Sequence, residues 1–171
     1  MNMSSVRVAL VTGACLMVLP LAACQKSAAA KPVDVAAEAE ALTSMDVAWS
    51  AEIAGKDVEK QVAHYTPDAV VVTPEGVMRG AAEVRAGMGA MLGDPAFKLS
   101  FRPDRAVVAR SGELGYTSGG YTVTYTDPAT KKPTAAEGVY VTVYTKGPDG
   151  RWKAAFDMAE NTPAMAAAPK T

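Results

Sequence analysis

The hydrophobic period of this chain changes once, near Pro95, from about 3.6 residues to about 2. Upstream, Val35, Leu42, Met45, Trp49 and Ile53 recur at helical spacing behind Pro32 and Asp34, and an aspartate there can accept the free N–H groups of a first turn. Gly55 closes that segment, Asp57 can cap a second one bearing Val58, Val62 and Tyr65, and Val84, Met88, Met91 and Leu92 mark a third. The spacing predicts helices over 34–54, 57–64 and 81–92, with a short Val-rich strand, Ala69 to Thr73, turned by Pro74-Glu75-Gly76. Downstream, Phe97, Leu99 and Phe101 alternate with polar residues, as do 116–125, 137–146 and 151–158, and Gly147-Pro148-Asp149-Gly150 reads as a hairpin loop. Four antiparallel strands are expected between 97 and 158. Helices first and strands after predict an α+β fold, with helices on one face of a curved antiparallel sheet. Trp49 and Trp152 are both expected inside it.

The first two dozen residues obey a different logic. Arg7 is the sole charge in 1–23, and Val8 to Ala23 is apolar but shorter than a bilayer span. This is the order of a secretory signal peptide. It ends in Leu21-Ala22-Ala23-Cys24, which resembles the bacterial lipobox, whose cysteine is lipidated and becomes residue one of the mature chain. Of two cysteines, Cys15 leaves with the signal, so the mature protein has no partner for a disulfide. Several acyl chains on Cys24 would hold it to a membrane firmly. Gln25 rather than Asp follows, as in lipoproteins sorted to the outer membrane, so the expected location is the periplasmic face of that membrane. The organisation read from the sequence is signal peptide 1–23, lipidated tether 24–32, domain 33–160 and Ala/Pro-rich disordered tail 161–171.

Composition excludes several classes of function. Without Arg7 the mature chain carries two more acidic than basic residues and no basic block, so nucleic acid is not an expected partner. Gly115 to Gly120 lies in a strand pattern and not before a helix, which rules out a phosphate loop. With one histidine, His64, and no free thiol, neither a zinc site nor a cysteine nucleophile is available, and no metal or cofactor is expected. A serine triad would need His64, whose place at a helix end beside Tyr65 suits a surface or capping role.

The order of these pieces resembles the nuclear transport factor 2-like superfamily. The resemblance rests on His64-Tyr65-Thr66-Pro67-Asp68-Ala69-Val70, Pro74-Glu75-Gly76 and the Gly80-led helix. Gly112 to Gly119, Gly138 to Tyr144 and Asp149-Gly150-Arg151-Trp152-Lys153 with Asp157 look like its SnoaL-like branch, described as ketosteroid-isomerase homologues. The resemblance covers about 33–160. It implies a cone-shaped sheet packed on three helices, a cavity between them that takes a small, largely apolar molecule, and frequent homodimers.

Isomerase chemistry on this scaffold requires a carboxylate base and two acidic donors at an oxyanion. The base position, before the Pro that ends the first strand, holds Thr73; the Tyr position falls near Trp49; and no Asp occurs between Gly138 and Lys146. A ketosteroid isomerase of the usual mechanism is therefore not expected. Asp157 remains as the carboxylate an isomerase-, cyclase- or hydrolase-type enzyme could use. In an unbroken strand, Trp152, Ala154 and Phe156 share one face and Asp157 the other, at a surface or in an ion pair; a bulge would reverse this. The resemblance, in which an acidic residue recurs after Trp-Lys, places Asp157 in the cavity within reach of Tyr65 or Tyr116. Trp49, Tyr65, Tyr116 and Tyr140 are candidate ligand contacts because each joins an apolar ring to a polar tip, although such rings also fill cores. A purely structural dimer is the third alternative.

Overall fold

The computed structural model describes residues 32–162. The expectations for the signal peptide, Cys24 and most of the tether, and for the tail from 163 on, lie outside the described residues.

Helix α1, Val35–Glu52, starts where the Asp34 carboxylate accepts from the Ala37 N–H at 3.1 Å. Leu42, Asp46 and Trp49, spaced four and three apart, are its buried face. A single 3-10 turn, Ile53–Gly55, follows, and Lys56 takes the left-handed turn conformation at φ 52. Asp57 caps α2, Val58–Ala63, through the Lys60 N–H. Strand β1, Tyr65–Thr73, and β2, Gly76–Arg79, flank the Pro74-Glu75 turn, and α3, Gly80–Gly93, leads into β3, Lys98–Val108. The remaining strands are β4, Leu114–Thr126, β5, Pro133–Lys146, and β6, Trp152–Asn161.

The sheet order is β2-β1-β6-β5-β4-β3. Three helices packed on this curved six-stranded sheet make the expected α+β cone. Four details depart from expectation. The sheet is mixed, since β1 runs parallel to β6 while every other pair is antiparallel; strands joined through the whole rest of the fold have no hairpin to force them antiparallel. β2 went unforeseen, because four mostly exposed residues carry no alternation to read. β1 also begins at Tyr65, not Ala69, with an irregularity before Val70 absorbing Thr66-Pro67-Asp68. β6 continues through Asn161, so the folded domain passes the expected boundary at 160.

Curvature has a local cause. Asp104 is an extra residue in β3 between paired Pro103 and Arg105, and such a bulge bends its strand. Opposite it, a Cβ on Gly119 would lie 2.0 Å from the Arg102 carbonyl oxygen, so only glycine lets β4 approach. The helices pack on the concave face, α1 over β3 and β4, α3 over β1 and β2. Leu42, Ala69, Val84, Tyr144 and Ala154 form the centre of the core between them.

Candidate functional site

Between the concave face and the helices lies a cavity of about 630 Å³. Ile53, Val71, Met88, Met91, Leu99 and Val123 supply apolar wall, and Glu75, Asp94 and Pro128 stand at exposed or half-exposed positions of its lining. Trp49, Gln61, Tyr65, Tyr140 and Thr142 line it too, each buried, and Trp49 contacts both Gln61 and Tyr65 while Tyr65 and Thr142 share one carboxylate, so these residues cluster at one closed end.

Asp157 reaches that closed end because of one residue. Val143 pairs with Phe156 but Tyr144 pairs with Ala154, leaving Ala155 as an extra residue in β6. Before this bulge Ala154 points inward; after it Asp157 and Ala159 line the cavity, and Phe156 turns to the outer face. Tyr65 donates to Asp157 Oδ2 and Thr142 to Oδ1, both at 2.9 Å. Burial pushes the Asp157 carboxyl up from 3.8 to about 6, against the stabilising hydroxyls of Tyr65 and Thr142. Burial likewise raises the Tyr65 hydroxyl well above its usual 10.

A second carboxylate, Asp46, was not singled out in the sequence. It is fully buried on α1 and receives hydroxyls from Tyr140, at 2.9 Å, and Tyr144. Burial raises its pKa, opposed by the surrounding hydroxyls. The Thr117 hydroxyl faces the same carboxylate yet completes no hydrogen bond. One strand face thus serves both acids: Tyr140 and Tyr144 of β5 hold Asp46, and Thr142 between them holds Asp157. The spacing that puts Asp46 in line with Leu42 and Trp49 is the signal that could have found it.

The other candidates divide. Trp49 is 4% exposed, lines the cavity and donates its indole N–H to Gln61 Oε1 at 2.7 Å. Tyr65 and Tyr140 also line it. Tyr116 does not: it is half-exposed on the outer face of β4, paired with outward Val143, because Gly115 and Thr117 occupy the inner positions. Thr73, at the isomerase base position, lines the cavity and accepts the Glu75 N–H. His64 stacks on Trp49 with centroids 4.5 Å apart and contacts Glu52 at 3.0 Å, a helix-end role outside the cavity. Trp152, expected inside, is only partly buried, its N–H donated to Glu38 at 2.9 Å. No metal-ligating cluster occurs among the described residues.

The Asp157 environment has a consequence for stability. Between about pH 4 and pH 6 the folded chain holds a proton on Asp157 that the unfolded chain has released. Its contribution to stability is therefore fullest below about pH 4 and is lost as pH rises to about 6, amounting to roughly 1–2 kcal/mol after discounting for water in the cavity. Denaturation of wild type and Asp157→Asn across this range should show a flatter dependence in the variant. Parallel profiles would mean that Asp157 titrates as an ordinary surface carboxyl.

Comparison with known proteins agrees with this architecture. No curated protein sequence matches significantly. Among solved structures, a nuclear transport factor 2-like superfamily protein from Salmonella enterica gives a TM-score of 0.62 at 13% identity, over 80% of this chain and 99% of that one. A ketosteroid isomerase-like protein from Erwinia carotovora gives 0.62 at 19% identity, over 72% and 96%. A nuclear transport factor 2-like protein with a cystatin-like fold from Novosphingobium aromaticivorans gives 0.57 at 14%, over 77% and 86%. At such identities the likeness is one of fold. The SnoaL-like domain family matches residues 47–155 in sequence, and the chain belongs to that family.

Proposed function

We propose that the domain binds a small, largely apolar molecule in its cavity, with Asp157 and its hydroxyl partners fixing the molecule's polar group. The observation that carries this reading is the distribution of chemistry within about 630 Å³: apolar walls along most of the lining, and a carboxyl with ordered hydroxyls at the buried end. Binding sites for small molecules have this composition, apolar surface with few placed polar groups. The neutral hydrophobic dye N-phenyl-1-naphthylamine should brighten on binding, saturating near one dye per chain. Leu99→Trp, which fills the cavity, should abolish the signal. Dye binding unaffected by Leu99→Trp would place the site elsewhere.

A second reading makes Asp157 a general acid or base in an isomerase-, cyclase- or hydrolase-type reaction. It is favoured by a carboxyl titrating near 6, close enough to neutrality to exchange protons in both directions. The same carboxyl that anchors a ligand would then act on it.

We further propose that Cys24 carries the lipid that holds the domain at the periplasmic face of the membrane, with the outer membrane as destination. The lipobox-like Leu21-Ala22-Ala23-Cys24 supports this. Cys24→Ser should release the protein to the soluble fraction or block its processing, as read by fractionation and intact mass. Full processing with unchanged membrane retention would contradict the assignment.

A further inference from the structure

The hydrogens at the closed end of the cavity are already spoken for. The Tyr65 and Thr142 hydroxyls both donate to Asp157, and the Tyr140 hydroxyl donates to Asp46 behind the wall. The Trp49 N–H donates to Gln61 Oε1; an indole nitrogen is a donor only, so this contact also fixes which end of the Gln61 amide is oxygen. The Gln61 nitrogen that remains has no partner, but it has essentially no accessible surface and cannot be touched from the lumen without rearrangement.

A hydroxyl whose single hydrogen is committed offers a ligand only lone pairs. Asp157 offers more of the same, since each of its oxygens accepts one protein hydrogen and has a further acceptor site. Charge points the same way. Glu75, Asp94 and Asp157 line the cavity, and among the described residues no Lys, Arg or His does. Trp49 meets the rings of Tyr65 and Phe101 at centroid distances of 5.1 and 5.7 Å, and Phe101 meets Tyr140 at 5.4 Å, so a connected aromatic cluster, one member of which donates to Asp157, lines the same cavity.

We propose that the closed end of the cavity is an acceptor-only pocket, and that its occupant is an apolar molecule carrying a protonated amine. This rests on the binding function proposed above and adds the polarity of the ligand. An ammonium would give its hydrogens to Asp157 and the tyrosine oxygens, and would supply the countercharge that a buried carboxylate lacks. A ketone or carboxylate placed there would meet lone pairs against lone pairs, with its own desolvation uncompensated. At neutral pH Asp157 is largely ionised, as this role requires.

The test is a matched series on one skeleton, titrated calorimetrically into the purified protein at neutral pH: naphthylmethylamine, acetylnaphthalene, naphthoate and methylnaphthalene. The amine should bind at least about tenfold tighter than methylnaphthalene, corresponding to about 1.4 kcal/mol, and the ketone and carboxylate no tighter than the hydrocarbon. Asp157→Asn should remove the amine's advantage over methylnaphthalene. A ketone or carboxylate binding as tightly as the amine overturns the proposal, yet leaves the cavity's binding role standing. An amine advantage that survives Asp157→Asn overturns it as well. Failure of all four probes to bind overturns the binding reading itself, and this proposal with it. Should the variant not fold, the wild-type ranking of amine against ketone and carboxylate decides alone.

Discussion

Trp49→Ala is expected to lower the unfolding free energy by about 3–5 kcal/mol. The side chain is 4% exposed and sits where α1, α2, β1 and β3 meet, stacked on His64 and edge-on to Tyr65 and Phe101. Truncation removes that contact area and also strands Gln61 Oε1, whose donor among the described residues is the indole N–H at 2.7 Å. The neighbouring cavity aggravates the loss, because the space vacated merges with a void of about 630 Å³. Residues around it have nothing to collapse against. Domains of this size are stable by about 5–15 kcal/mol in total, so the variant should unfold at markedly lower denaturant. Trp49→Phe, which keeps most of the apolar area but loses the donor, should cost less. A Trp49→Ala cost below about 1 kcal/mol would show that the indole does not carry the helix–sheet contact.

Asp46→Ala is expected to cost about 2–4 kcal/mol for a different reason. The carboxylate is fully buried, and it takes the hydroxyl hydrogens of Tyr140 and Tyr144, both themselves buried. Removing it leaves two hydroxyls without an acceptor, at about 1–3 kcal/mol each, offset in part by relief of a desolvated charge. Asp46→Asn, which retains the shape and one acceptor oxygen, should cost less. The sharper check is the double variant Asp46→Ala/Tyr144→Phe. Removing both partners of a buried hydrogen bond is close to neutral where removing one is not, so the second substitution should add less destabilisation than Tyr144→Phe does alone. Strict additivity in chemical denaturation would mean that Asp46 and Tyr144 are not energetically linked.

The sequence made the helices and the long strands legible because each repeats its period several times over. Leu42 and Trp49 on α1, and Tyr140 and Tyr144 on β5, are buried in the register their spacing implies. What the period could not convey is partner choice and local irregularity. The direction in which β1 lies against β6 depends on residues about ninety apart, and no local pattern encodes it. The bulge at Ala155 is equally silent, because alanine suits either face of a strand, and Trp152, Ala154 and Phe156 read as an unbroken alternation. Yet that bulge decides where Asp157 points.

Tyr116 illustrates the opposite error. Its apolar ring and polar tip make it a candidate ligand contact, but β4 packs there so closely that a Cβ on Gly115 would lie 2.8 Å from Leu42 Cδ1. Small residues take the inner positions at that end and the tyrosine is left outside. Asp46 is legible from its spacing between Leu42 and Trp49 on the buried face of α1, but its partners Tyr140 and Tyr144 lie more than ninety residues away and no local pattern announces them.

Native mass spectrometry of protein purified from its native host without refolding reads directly whether the cavity holds a small molecule. A non-covalent adduct of a few hundred daltons is expected on the wild-type chain, of a size suited to a cavity of about 630 Å³, and absent from Leu99→Trp prepared in parallel. Wild-type protein with no adduct that also fails to take up N-phenyl-1-naphthylamine, or an adduct retained equally by Leu99→Trp, would contradict it.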